Sequence, residues 1–113
     1  MADEYSMTFG LAPAIVADFH RIFRHYSEIE RVLIFGSRAK NTYKDSSDID
    51  LAVIAPTMND DTFSKLWNAI DDLPLVFKVD LLHWDKLTDE RLQTKILREG
   101  QLFYSLQQQV RSG

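Results

Sequence analysis

Three acids stand inside stretches that otherwise look buried. Asp48 and Asp50 bracket Ile49 in the run SDIDLAVI, and Asp80 lies between Val79 and Leu81 in VFKVDLL. On an extended chain, residues two apart project to one face, so Asp48 and Asp50 share a face while Ile49 and Leu51 turn into a core. An ionised carboxylate in such a place is costly unless it is paired or bound to a cation. Like charges on one face also raise each other's pKa. Few bases lie nearby in sequence: Arg38, Lys40, Lys44 and Lys78. A divalent cation is the simpler counter-charge. Three oxygen donors with no His or Cys among them suit Mg²⁺ or Mn²⁺ rather than zinc. Taken singly, Asp48 reads equally well as a turn cap, and Asp50 and Asp80 as ordinary salt-bridge partners.

What strengthens the set is the Gly36-Ser37 turn that closes the apolar run RVLIF. Glycine allows close backbone approach to a ligand, and exposed N–H groups with a serine hydroxyl can hold phosphate oxygens. Alone, such a pair is a plain turn. Here ten residues follow it and then comes Asp-x-Asp. Donors for a leaving pyrophosphate and carboxylates for metal ions are what an in-line phosphoryl displacement requires. The loop is no Walker motif, since G-x-x-x-x-G-K-[ST] is absent.

The remaining candidates have structural defaults. His20, His25 and His83 show no metal-ligand spacing. Trp67 falls in the apolar stripe of a helix and is expected in the core, and Trp84 either packs or lines a ligand pocket or an interface. Lys78 shares the face of Asp80, where it either bridges to the carboxylates or phosphate or lies on the surface.

Hydrophobic periodicity places these residues on elements. Ile15, Val16, Phe19, Ile22, Phe23 and Tyr26 form one stripe of a helix with Pro13 near its start. Arg31 to Phe35 reads as a buried strand, residues 38–47 as a polar loop or a short helix with a loop, and Ile49 to Ala55 as a second strand stopped by Pro56. Phe63, Leu66, Trp67 and Ile70 mark a second helix. Val76 to Leu82 reads as a third strand. Thr88 can cap a last helix whose buried stripe is Leu92, Ile96 and Leu97, with Gly100 as its stop. Leu102 to Tyr104 either adds a short strand or packs down, and the tail QQQVRSG is expected to fray. The order is α–β–loop–β–α–β–α, which one mixed sheet with helices packed on it accommodates.

Bulk properties exclude more than they assign. A chain of 113 residues, 45% hydrophobic and 27% charged, is one domain with a single core. Thirteen basic and seventeen acidic residues give a net charge of −4, with no basic run. Stable nucleic-acid binding and a membrane-surface role both need concentrated positive charge and are not expected. No cysteine is present, which removes disulfides and thiolate chemistry. No signal-like or membrane-length apolar run occurs, so the expected compartment is the cytoplasm.

The segment VLIFGSRAKNTYKDSSDIDLAVI, residues 32–54, closely resembles the signature of the DNA polymerase β-like nucleotidyltransferase superfamily. Its pentad SDIDL is the form typical of the MNT (minimal nucleotidyltransferase) proteins of bacteria and archaea. VDLL at Val79 to Leu82 and KILREGQLFY at Lys95 to Tyr104 resemble the family's later strand and closing helix, so the likeness spans roughly residues 12–105. The resemblance implies an α/β (α+β) nucleotidyltransferase core of the polymerase β palm type. It implies that Gly36 and Ser37 bind the triphosphate, with Ser47 beside them and Arg38 where a base can reach a phosphate. Asp48 and Asp50 would hold two Mg²⁺ or Mn²⁺ ions, and Asp80 would complete the metal site nearest the acceptor. Asn41 stands where the family often has glycine, a departure that bears on the loop's shape.

The substrate implied is a nucleoside triphosphate, ATP, and the partner a HEPN-type helical protein with which the chain would form a hetero-oligomer. Within such a toxin–antitoxin pair, the MNT protein neutralises an RNase toxin, in some cases by transferring AMP to a tyrosine. Two other functions remain open: a catalytically silent module that neutralises its partner by contact, and a small-molecule nucleotidyltransferase. The second of these lacks an added substrate-binding domain.

Overall fold

The computed structural model describes residues 9–40, 42 and 47–106. The elements run α1 (Pro13–Arg24), β1 (Arg31–Phe35), β2 (Ile49–Ile54), α2 (Asp60–Asp71), β3 (Val79–His83), a 3₁₀ turn (Trp84–Lys86), α3 (Glu90–Glu99) and β4 (Gln101–Ser105). The four strands form one sheet in the order β3-β2-β1-β4. β1 pairs antiparallel with both β2 and β4, whereas β2 and β3 run parallel with α2 as the crossover. The sheet is therefore mixed, as the alternation of elements implied. Loop residue Asn41 and the tail QQQVRSG lie outside the described residues.

Strand alternation divides the apolar residues into two layers. Ile49, Leu51 and Val53 point to the side covered by α1 and α2, where they join Val32, Ile34, Phe19, Phe23 and Leu66 in the main core. On the other side Phe35 and Ala52 meet Ile96 of α3, with Leu82, Trp84 and Leu92 packed around them. Asp50 and Asp80 share parity with Ala52 and Leu82, so both acids lie on the α3 side of the sheet. α1 begins with Pro13 at its first turn, where the missing N–H is no loss.

Several boundaries differ from those the sequence suggests, each for a local reason. β3 starts at Val79 rather than Val76, because its partner β2 begins opposite it, with Ile49 facing Val79. Val76 has no strand beside it and is 93% exposed. The cap of α3 is Asp89, not Thr88: the Asp89 carboxylate accepts hydrogen bonds from the Arg91 and Leu92 N–H groups. Trp67 and Leu97 are not core residues. They are 42% and 67% exposed, since each lies about 100° around its helix from the residue that is buried, Leu66 and Ile96. Gly100 does end α3, but by space rather than by a left-handed backbone. Its φ is −69°, and a Cβ there would strike the Ile96 carbonyl oxygen. The residues after it form a true strand, β4, on the free side of β1.

Candidate active site

The site is assembled where β1 ends and β2 begins. Phe35, the last residue of β1, pairs with Asp50, so the turn that follows falls beside the Asp50 carboxyl. Gly36 takes φ +79° there, and a Cβ on it would lie 2.5 Å from Asp50 Oδ2. Both the backbone sign and the space thus require glycine. Across the other edge of β2, Asp50 is in register with Asp80 of β3. The two carboxyls come within hydrogen-bonding reach of each other. One peptide ladder therefore places the phosphate-type turn, Asp50 and Asp80 side by side.

The electrostatics follow from that placement. Burial pushes the Asp50 carboxyl above the usual carboxylate value. The charge of Asp80, its hydrogen bond with Asp80 and the charge of Asp48 add to the rise, while Lys95 on α3 opposes it. Asp48 precedes the strand and is exposed. Among the described residues no three acidic or imidazole side chains are gathered closely enough to hold a metal ion as they stand. The proposed trio is thus a touching pair and a solvated third member. Like charges drawn together repel, so the approach of Asp80 makes the charged form of Asp50 less favourable, while Asp48 stays in solvent. Lys78 lies 3.7 Å from Asp80 Oδ1 with most of its side chain in solvent, so it bridges while remaining on the surface.

Past Gly36 the chain makes one helical turn, with Lys40 N–H donating to the Gly36 carbonyl and Thr42 N–H to that of Ser37. Ser37 is half-buried at the head of this turn, and Ser47 is half-buried one residue before Asp48. Arg38 departs from the phosphate-reaching placement. It is 1% exposed, and its Nε and Nη2 donate to the Ser47 carbonyl while Nη1 donates to that of Phe9. A side chain two residues beyond a strand end can fold under the turn as readily as over it, and the sequence carries no sign of which.

The structural defaults for the other residues mostly hold. His20 Nε2 donates to the Phe103 carbonyl at 2.7 Å. Its burial, with a smaller push from Arg24, lowers its pKa against the pull of that hydrogen bond. His83 stacks on Phe63, with ring centroids 4.9 Å apart, and donates to the Ala55 carbonyl. His25 caps the C-terminus of α1. Trp84 packs on the α3 side of the sheet. Lys95 is a base near Asp50, among the described residues, that sequence reasoning missed. It lies 45 residues away along the chain, and only the docking of α3 brings it near.

The mixed sheet thus sets a Gly-Ser turn against paired carboxylates on neighbouring strands, an arrangement in keeping with a nucleotidyltransferase. The family model for polymerase beta nucleotidyltransferases matches residues 18–109, and the chain belongs to that family. No curated protein matches it in sequence. Its fold is similar to that of a chain in a toxin–antitoxin crystal structure with AMP-PNP, at a TM-score of 0.59 and 24% identity over 83% of this chain and 76% of that one. It is also similar to a chain of the MntA–HepT toxin–antitoxin structure, with a TM-score of 0.54 and 22% identity over 83% and 73%. A third likeness is to a chain of the complex of the tri-AMPylated Shewanella oneidensis HEPN toxin with MNT antitoxin, with a TM-score of 0.50 and 21% identity over 84% and 76%. At these identities the likeness is one of fold. No helix among the described residues is long and apolar enough to cross a membrane.

Proposed function

We propose that this nucleotidyltransferase transfers AMP from ATP to a hydroxyl of a HEPN-type protein, a tyrosine being the acceptor that the family resemblance implies, and so acts as an antitoxin. The observation that carries the reading is the contact of Gly36 with Asp50 and of Asp50 with Asp80. The folds of antitoxin complexes containing AMP-PNP or an AMPylated HEPN toxin support the choice of nucleotide and partner.

On this reading the Gly36-Ser37 turn holds the triphosphate, with Ser47 next to it. Asp48, Asp50 and Asp80 would hold Mg²⁺ or Mn²⁺. The donor set fits, because three carboxylates opposed by Lys78 and Lys95 still leave negative charge uncompensated and offer only hard oxygen ligands. When bound, such ions supply positive charge against the phosphate oxygens. The acceptor oxygen forms a bond to the α-phosphorus as the bond to pyrophosphate breaks, and the acceptor's proton passes to the Asp50–Asp80 pair.

The test is incubation with labelled ATP, Mg²⁺ and a HEPN-type toxin, followed by mass spectrometry of the toxin. Wild type is expected to add the mass of AMP. Asp80→Asn is expected to retain ATP binding and partner binding but to lose transfer by at least about 100-fold. Equal modification by the Asp80→Asn protein would remove Asp80 from the chemistry. Neutralisation without modification by either protein would establish the contact-only antitoxin instead.

A further inference from the structure

We propose that Arg38 is a positioning residue. Its buried guanidinium ties Ser47, and with it Asp48, to the Gly36-Ser37 turn and to the segment leading into Asp80, and it makes no contact with the triphosphate. The proposal rests on the nucleotidyltransferase reading above and deepens it.

Arg38 is the largest fully buried side chain among the described residues. An arginine stays charged under all ordinary conditions, so burying it is favourable only where its planar fork of donors is well used. Here three donors of the fork hold backbone carbonyls. Nε and Nη2 both donate to the Ser47 carbonyl, at 3.1 and 2.9 Å, and Nη1 donates to the Phe9 carbonyl at 3.0 Å. The flat face of the group lies over the Phe77 ring, 5.0 Å from its centroid, a contact in which the cation is held by the ring's negative face.

These partners lie at the places that matter to the site. Ser47 immediately precedes Asp48, Phe77 is three residues before Asp80, and Arg38 is itself two residues after Gly36. One rigid group therefore links all three chain segments that carry the acids and the turn. Phe9 adds a further indication. It has a positive φ of 54° without being glycine, a backbone state that costs free energy and persists only where surrounding contacts hold it. The bond from Arg38 Nη1 to its carbonyl is such a contact.

Lysine cannot perform this task. A single ammonium cannot donate twice to Ser47, reach Phe9 and lie flat on Phe77 together. Without the clamp, Asp48 loses its anchor one residue away. Displacements of about 1 Å in a reacting geometry cost on the order of 100-fold in rate.

The experiment compares wild type with Arg38→Lys and Phe77→Leu. Hydrogen exchange, which requires no turnover, is expected to quicken at the amides of residues 47–50 in Arg38→Lys. Calorimetric affinity for AMP-PNP with Mg²⁺ is expected to stay within about threefold of wild type. In AMP transfer from ATP to the HEPN-type acceptor, kcat is expected to fall by about 100-fold with KM for ATP little changed. Phe77→Leu keeps every nitrogen of the clamp and should show the same pattern, more weakly, if Arg38→Lys folds poorly. A tenfold or larger loss of AMP-PNP affinity with kcat preserved would overturn the proposal, because Arg38 would then be touching the triphosphate. So would unaltered exchange at residues 47–50 in both variants. Wild type that transfers no AMP but shows the exchange difference would defeat the proposed function while leaving the clamp standing.

Discussion

Asp50 is the residue on which the site's physics turns. It is squeezed between the Gly36 backbone and the Asp80 carboxyl, and its pKa lies above the ordinary value of 3.8, chiefly through burial. The folded state therefore binds its proton more tightly than the unfolded chain does. The stability this contributes is complete below pH 3.8 and is lost as pH rises through the higher folded value. Asp50→Asn escapes that loss. Its stability relative to wild type should grow with pH between those limits, by no more than about 1 kcal/mol because solvent screens the half-exposed carboxyl, while transfer is abolished. Urea unfolding at a series of pH values reads the difference directly. A wild type that gained stability over the mutant as pH rose would mean that Asp50 is a salt-bridge partner, the reading the isolated residue allows.

At the scale of elements, α3 is the informative case. Its sequence offers two adjacent residues able to cap it, and the structure uses Asp89, whose Oδ1 receives two N–H groups at 3.0 and 3.2 Å. Replacing Asp89 with alanine should cost about 1 kcal/mol in urea unfolding. Replacing Thr88 should change stability by no more than about 0.5 kcal/mol. The reverse order would return the cap to Thr88. The stripe of α3 was legible as a helical period, yet the depth of burial was not. Ile96 is fully buried and Leu97 is two-thirds exposed, because a short helix laid on one end of a sheet covers only a narrow line. The same geometry leaves Trp67 on the surface of α2.

Across the whole molecule, stability is expected to follow the sheet order. β1 and β2 are the inner strands, with core residues on both faces, whereas α3 has a single fully buried side chain. Native-state hydrogen exchange should therefore find the slowest amides in β1 and β2, and α3 opening at lower free energy. Protection of α3 equal to that of β1 would show that the two layers unfold as one. A separable α3 matters to function, since Lys95 reaches the Asp50 site only when that helix is docked.

The sequence by itself determined the element order as far as α3, the strands β1 and β2 nearly to the residue, and the candidate acids, because period-two and helical patterns are local. It also placed Gly36 and Asp50 at the two ends of a single connection between two strands, where the structure brings them together. Which strands are neighbours was not local information. Only the tertiary structure set Asp80 in register with Asp50 through a parallel pairing, left Asp48 in solvent, and brought Lys95 over from α3. It also decided the fate of Arg38. A basic residue after a Gly-Ser turn is compatible with either phosphate or backbone as its partner. The choice fell to carbonyls of Ser47 and Phe9, which no local pattern brings together.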